Sequence, residues 1–295
     1  MNFAQTALSA DTLPPLSEAD PAPVVLSREE QFEFKSEITG REYRLMIATP
    51  YGMEAEQTYP VVYILDGYWY YRPAVDYVTE AGERLDKAVI VGVSYPTEDY
   101  DEHCKRRWID MGIPPLPEDL NPEDEHREDG DTFIRALNEE IKPFVEARYP
   151  VDVEQQALYG KSLGGLLVLR QMLREPDAFQ TYIAASPATF IFNFAVLADE
   201  PAFTEKVKNG DVNLRLLITT AEGDQYRGED PEKLKWANKS RMVDSARELS
   251  ERLQGLDSEK VEVEYVYFPG ESHFSVSLAC LGRGLAFALP PDAKE

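Results

Sequence analysis

Six consecutive residues, Gly160-Lys161-Ser162-Leu163-Gly164-Gly165, constrain this chain more than any other feature. They follow a short apolar run, Ala157-Leu158-Tyr159, and open onto a longer one, Leu166 to Leu173. A G-x-S-x-G motif acquires meaning in this order of strand, turn and helix. The serine then sits on a sharp, strained turn at the top of a sheet, and the residues two before and two after it must be small. Gly160 and Gly164 meet that demand, and Gly165 lets the helix approach the sheet. Ser162 therefore reads as a nucleophile, with a plain glycine-rich turn as the bland alternative.

The rest of the chain supplies a matching frame. Phe32 and Phe34 alternate with polar residues, Thr39-Gly40 offers a turn, and Tyr43, Leu45 and Ile47 alternate again, which predicts a hairpin with one buried face. Val61 to Leu65, Ala88 to Val93 and Leu214 to Ile218 are near-continuous apolar runs, the pattern of strands covered on both faces. Val261, Val263 and Tyr265 alternate with glutamates, as a strand nearer the sheet edge would. Helical spacing links Phe133, Leu137, Ile141 and Phe144-Val145, with a kink expected at Pro143, and recurs from Val243 to Leu253. Strands alternating with helices predict an α/β fold: a mixed, mostly parallel sheet flanked by helices. Residues 1–30 read as a Pro-rich acidic extension and 31–290 as one domain. Residues 96–131 carry many acids and scattered apolar side chains and are expected to form a lid-like insertion, with a mobile acidic excursion as the alternative.

Three histidines narrow the chemistry: His103, His126 and His273. A serine on such a turn is followed in the chain by its acid and then its base, and only His273 lies beyond Ser162. It sits in Pro269-Gly270-Glu271-Ser272-His273, just after a predicted strand. The other two fall in the acidic insertion without ligand spacing, so surface positions are expected, and no metal or cofactor is expected. The acid should stand beyond the strand ending near Thr219, where Glu222 and Asp224 both qualify. Asp224 is favoured because Gly223 would let the chain turn. Backbone N–H groups of Leu163 and of Gly67 or Tyr68 are candidates for holding an oxyanion. Trp69, Lys161, Arg106, Arg107 and Trp108 are candidate pocket residues; the cations among them either attract an anionic or aryl ester or, the reading slightly favoured, only neutralise neighbouring acids such as Asp101, Glu102 and Asp110, with Lys161 pointing away from the pocket.

Composition excludes other classes. A formal net charge of −24 repels nucleic acid and anionic membrane surfaces. Two cysteines, Cys104 and Cys280, make no disulfide framework, and no secretory signal or membrane-length apolar run is present, so a cytoplasmic location is expected.

The chain resembles the esterases of the esterase D and enterochelin-esterase type within the α/β hydrolases, from about Gln31 to Leu289. The resemblance rests on Tyr63-Ile64-Leu65-Asp66-Gly67, Val89 to Val93, Phe144 to Tyr149, Gly160 to Gly165, Ala184-Ala185-Ser186-Pro187 and Gly270 to His273. It implies an α/β-hydrolase fold and cofactor-free hydrolysis of a small-molecule carboxylic ester through an acyl-enzyme. Acyl transfer by the same residues is the alternative within enzymes, and a non-catalytic binding scaffold the alternative outside them. Family members commonly carry His or Tyr where Lys161 stands, a departure that bears on substrate rather than on reaction class.

Overall fold

A computed structural model of the chain describes residues 28–54, 56–113 and 130–291. The extension before Arg28, the centre of the acidic insertion and His126 lie outside the described residues.

Eight strands form a single sheet: β1 (Glu29–Lys35), β2 (Glu42–Ala48), β3 (Tyr59–Ile64), β4 (Val89–Ser94), β5 (Val151–Lys161), β6 (Thr181–Ala185), β7 (Leu214–Ala221) and β8 (Val261–Phe268). Their order is β1-β2-β4-β3-β5-β6-β7-β8. The hairpin β1–β2 and the pair β2–β4 are antiparallel, and every other pairing is parallel. The mixed sheet read from the sequence is thus observed, with β8 at an edge. Ten α-helices are described: α1 (Gly67–Ala81), α2 (Tyr100–Met111), α3 (Gly130–Ala136), α4 (Lys142–Glu146), α5 (Leu163–Arg174), α6 (Glu200–Lys208), α7 (Glu222–Gln225), α8 (Pro231–Ser240), α9 (Met242–Gln254) and α10 (Ser277–Ala288).

Period-two alternation divides the strand side chains between two cores. Leu45, Ile47, Leu216 and Ile218 face the layer that holds Phe133, Leu166 and Leu249. Ala48 and Leu217 face the other layer, with Tyr71, Val75 and Leu285. Burying the sheet on both sides is what makes its central strands read as unbroken apolar runs. Pro143 lies just after a π turn, Leu137–Ile141, that interrupts the helical run between α3 and α4.

The insertion departs most from expectation. Its first part is the regular helix α2, started by the Asp99 side chain accepting from the Glu102 N–H at 2.8 Å. His103, Asp110 and Met111 are buried on it, and Arg107 turns inward to an ion pair. A helix whose inner face is built from His, Arg and Asp at i, i+4 and i+7 leaves no apolar stripe to read. The described part of the insertion is thus packed into the scaffold, and residues 114–129 of the segment read as lid-like lie outside the described residues. His103 is correspondingly not a surface histidine. It is fully buried between the rings of Tyr68, Trp69 and Tyr95, at centroid distances of 4.9, 4.6 and 5.0 Å.

Candidate active site

The sheet order reverses between β4 and β5 on either side of β3, so the carboxyl ends of β3 and β5 open a crevice of the kind α/β sheets use for ligands. Four loops meet there, those after β3, β5, β7 and β8.

The loop after β5 carries Ser162, with φ 59° and ψ −113°, a conformation a side chain rarely adopts. Its neighbours explain how it is tolerated. A Cβ on Gly160 would lie 2.5 Å from the Gly164 carbonyl carbon, and one on Gly165 would lie 2.9 Å from the Ala185 oxygen. The turn is pinned from outside as well: the Ser162 N–H donates to Ala185 O at 2.9 Å, and the Ala188 N–H donates to Ser162 O at 3.0 Å. The strain is thus held by β6 and the loop that follows it.

Ser162 Oγ lies 3.1 Å from His273 Nε2, and His273 Nδ1 lies 2.5 Å from Asp224 Oδ1. Asp224 is fully buried, and its other oxygen accepts the Ala221 N–H at 2.7 Å, so the carboxylate cannot swing away. Glu222, the other candidate acid, is engaged elsewhere: it accepts the Gly270 N–H at 2.9 Å and is exposed. Gly223 has a different role from the one expected of it. Its φ is ordinary, but a Cβ there would meet Ser272 Cα at 2.8 Å, and its N–H donates to Glu271 O at 2.9 Å. It lets the acid-bearing and histidine-bearing loops lie directly on each other.

The oxyanion candidates stand at two helix starts. Leu163 opens α5, and Gly67 and Tyr68 open α1 behind Asp66, whose φ of 56° makes the turn. The first N–H groups of a helix have no carbonyl one turn back to receive them. Gly67 also has to be glycine, since a Cβ would sit 2.9 Å from the Gly92 carbonyl carbon in β4.

Beside His273 lies a cleft of about 490 Å³, lined by Tyr226, Arg227 and Phe274 among others. Phe274 is 84% exposed, an apolar ring left in water at the mouth. A second groove, of about 410 Å³, lies at the opposite end of β4 and touches none of these residues.

The structure places the sequence-derived pocket residues away from this cleft. Arg107 donates to Asp66 Oδ1 at 2.7 Å and to the Lys161 carbonyl at 3.1 Å, and lies over the Trp69 ring. It joins the α1 start to the turn that carries Ser162. Arg106 pairs with Glu102 one turn back on its own helix, at 2.8 Å. Trp108 packs on the core against Phe192, and Trp69 against His103. Lys161 is buried, with its ammonium on the His273 carbonyl. Residue spacing placed these side chains near the site in sequence, but only packing determines which way each one turns. Arg227, the cation that does line the cleft, went unnoticed, although it stands three residues beyond Asp224.

Among the described residues no three His, Cys, Asp or Glu side chains are grouped to hold a metal ion. Cys104 and Cys280 are both free thiols, and burial pushes Cys280 up. No described helix is long and apolar enough to cross a membrane.

Comparison with known proteins settles the family. The family model "Putative esterase" matches residues 36–272. The chain belongs to that esterase family. It is 34% identical over 262 residues to the ferri-bacillibactin esterase BesA of Bacillus subtilis, covering 85% of this chain and 86% of that one. A siderophore triacetylfusarinine C esterase of Aspergillus fumigatus is 29% identical, with 90% and 94% covered. The solved structure of siderophore hydrolase EstB from Aspergillus nidulans superposes with a TM-score of 0.77 at 26% identity, over 92% of this chain and 98% of that one. The fold is accordingly the α/β-hydrolase fold, and the chain is an esterase, a hydrolase of carboxylic esters.

Proposed function

We propose that Ser162, His273 and Asp224 carry out this hydrolysis and that the substrate is a siderophore ester. The observation that carries the residue assignment is the continuous relay from Asp224 through His273 to Ser162, at 2.5 and 3.1 Å, on a strained turn at the carboxyl ends of parallel strands. Such a relay suits proton transfer in step with nucleophilic attack.

Ser162 Oγ attacks the ester carbonyl carbon as His273 Nε2 takes its proton. The N–H groups of Leu163 and of Gly67 or Tyr68 receive the charge on the carbonyl oxygen. Collapse breaks the bond to the leaving alcohol, which takes the proton from Nε2 and departs, leaving Ser162 acylated. Water then gives a proton to Nε2 and attacks the acyl carbon, and Ser162 leaves with that proton as the carboxylic acid is released. Asp224 holds the imidazole in the tautomer whose Nε2 accepts, and stabilises the imidazolium formed in each half-reaction.

The substrate class is supported by the relatives, which are esterases of ferri-bacillibactin and of triacetylfusarinine C. A cytoplasmic location agrees with two free thiols. The test is a panel of ferri-bacillibactin, triacetylfusarinine C and aryl esters of graded chain length, with Ser162→Ala as blank. Turnover of a siderophore ester at higher kcat/KM than every aryl ester supports the reading. Turnover confined to short aryl esters contradicts the substrate class and leaves the residue assignment intact.

A further inference from the structure

The ammonium of Lys161 donates to the backbone carbonyl of His273 at 2.7 Å, a bond between residues 112 apart. Lys161 is the last residue of β5, directly before the nucleophile, and is 3% exposed. We propose that Lys161 is a positioning residue that fixes the root of the His273 loop to the nucleophile strand. This rests on the assignment of Ser162, His273 and Asp224 given above.

Two attachments orient an imidazole: one on the ring and one on the backbone from which the ring projects. Asp224 supplies the first at Nδ1, and Lys161 supplies the second. The other ties on that loop, Glu222 to Gly270 and Gly223 to Glu271, run to the start of α7 and not to the nucleophile. The Lys161 bond therefore acts most directly on the 3.1 Å separation between Nε2 and Oγ. The Lys161 carbonyl is fixed in turn by Arg107.

Lys161 faces Asp224 at the start of α7, Asp66 before α1, Arg107 on α2 and the Cys280 thiol on α10. Burial pulls its pKa down and the two carboxylates push it up.

A buried ammonium is a poor choice for stability alone, because removing it from water costs more than one hydrogen bond returns. That gives the proposal its distinguishing readout. Lys161→Met keeps the length and apolar stem of the side chain and removes both donor and charge. It should melt at or above the wild-type temperature, yet show kcat about 10–100-fold lower for a small aryl ester with KM little changed. Lys161→Gln places a neutral donor on a shorter side chain and should keep more of kcat than Lys161→Met. Wild-type kcat in both variants would overturn the proposal. So would parallel losses of kcat and melting temperature, which mark a purely structural lysine. Should Lys161→Met fail to fold, wild-type kcat in Lys161→Gln overturns the proposal on its own. Ser162→Ala measured alongside separates the two levels: if it retains turnover, the underlying assignment fails whatever Lys161 does.

Discussion

Gly223 lies in contact with Ser272, so closely that a Cβ on Gly223 would stand 2.8 Å from the Ser272 Cα. The proposed acid and base are carried by two loops with no room between them. Gly223→Ala should therefore push the His273 loop outward. The expected result is a stability loss of about 1–3 kcal/mol from overpacking, with kcat reduced about tenfold or more. Urea melts and initial rates on one aryl ester check both; an unchanged kcat would show that the loops separate without moving the imidazole.

Asp224 and Glu222 should separate cleanly. Asp224→Asn leaves the fold in place but presents the wrong partner to Nδ1, and kcat should fall about 10²–10⁴-fold. Glu222→Gln keeps an acceptor for the Gly270 N–H and should cost less than about tenfold. The comparison is of kcat for the two purified variants, and the reverse ranking would move the acid to Glu222.

How far these features were legible depends on what each one is made of. The sheet could be read because its strands are apolar on both faces or alternate strictly, and Ser162 and His273 because a strained turn and a scarce residue type leave few choices. Helix α10 carries Cys280, Leu281 and Leu285, with Val276 at its N-cap, at helical spacing that the sequence makes legible. Helix α2 could not be found by hydropathy, since its inner face is His103, Arg107 and Asp110. Strand β6 is only five residues long and offers too little sequence for a period to show. The direction of Arg107 and Lys161 was equally closed to a one-dimensional reading, because each turns toward a partner more than forty residues distant in sequence.

Arg107 and Asp66 form an ion pair in which the carboxylate is fully buried and the guanidinium nearly so. Arg107→Met should leave a buried charge uncompensated and destabilise the protein by about 3–5 kcal/mol, whereas Asp66→Asn combined with Arg107→Met should recover part of that loss. Urea denaturation of the wild type, the single and the double variant tests this. A single variant as stable as the wild type would mean that the pair does not hold the α1 start to the nucleophile turn.

His103 makes the stability sensitive to acid. Both ring nitrogens are buried without a hydrogen-bond partner, and burial lowers its pKa from the ordinary value of 6.5, partly offset by Asp66. The unfolded chain therefore binds the proton first as pH falls. The contribution of neutral His103 is whole above pH 6.5, is lost progressively as pH drops from there toward the folded-state pKa, and falls no further below it. His103→Phe should flatten the dependence of melting temperature on pH between about 5 and 7 relative to wild type. Parallel curves for the two proteins would contradict it.

The account turns on an acyl group passing through Ser162. Rapid mixing of enzyme with an excess of an aryl ester, quenched in acid and examined by peptide mass spectrometry, reads that step directly. The prediction is an increment equal to the acyl group on the peptide containing Ser162, absent from Ser162→Ala and accumulating further in Asp224→Asn if water attack is slowed more than acylation. Steady hydrolysis by the wild type with Ser162 never acylated, or acylation mapped to another residue, would contradict the account.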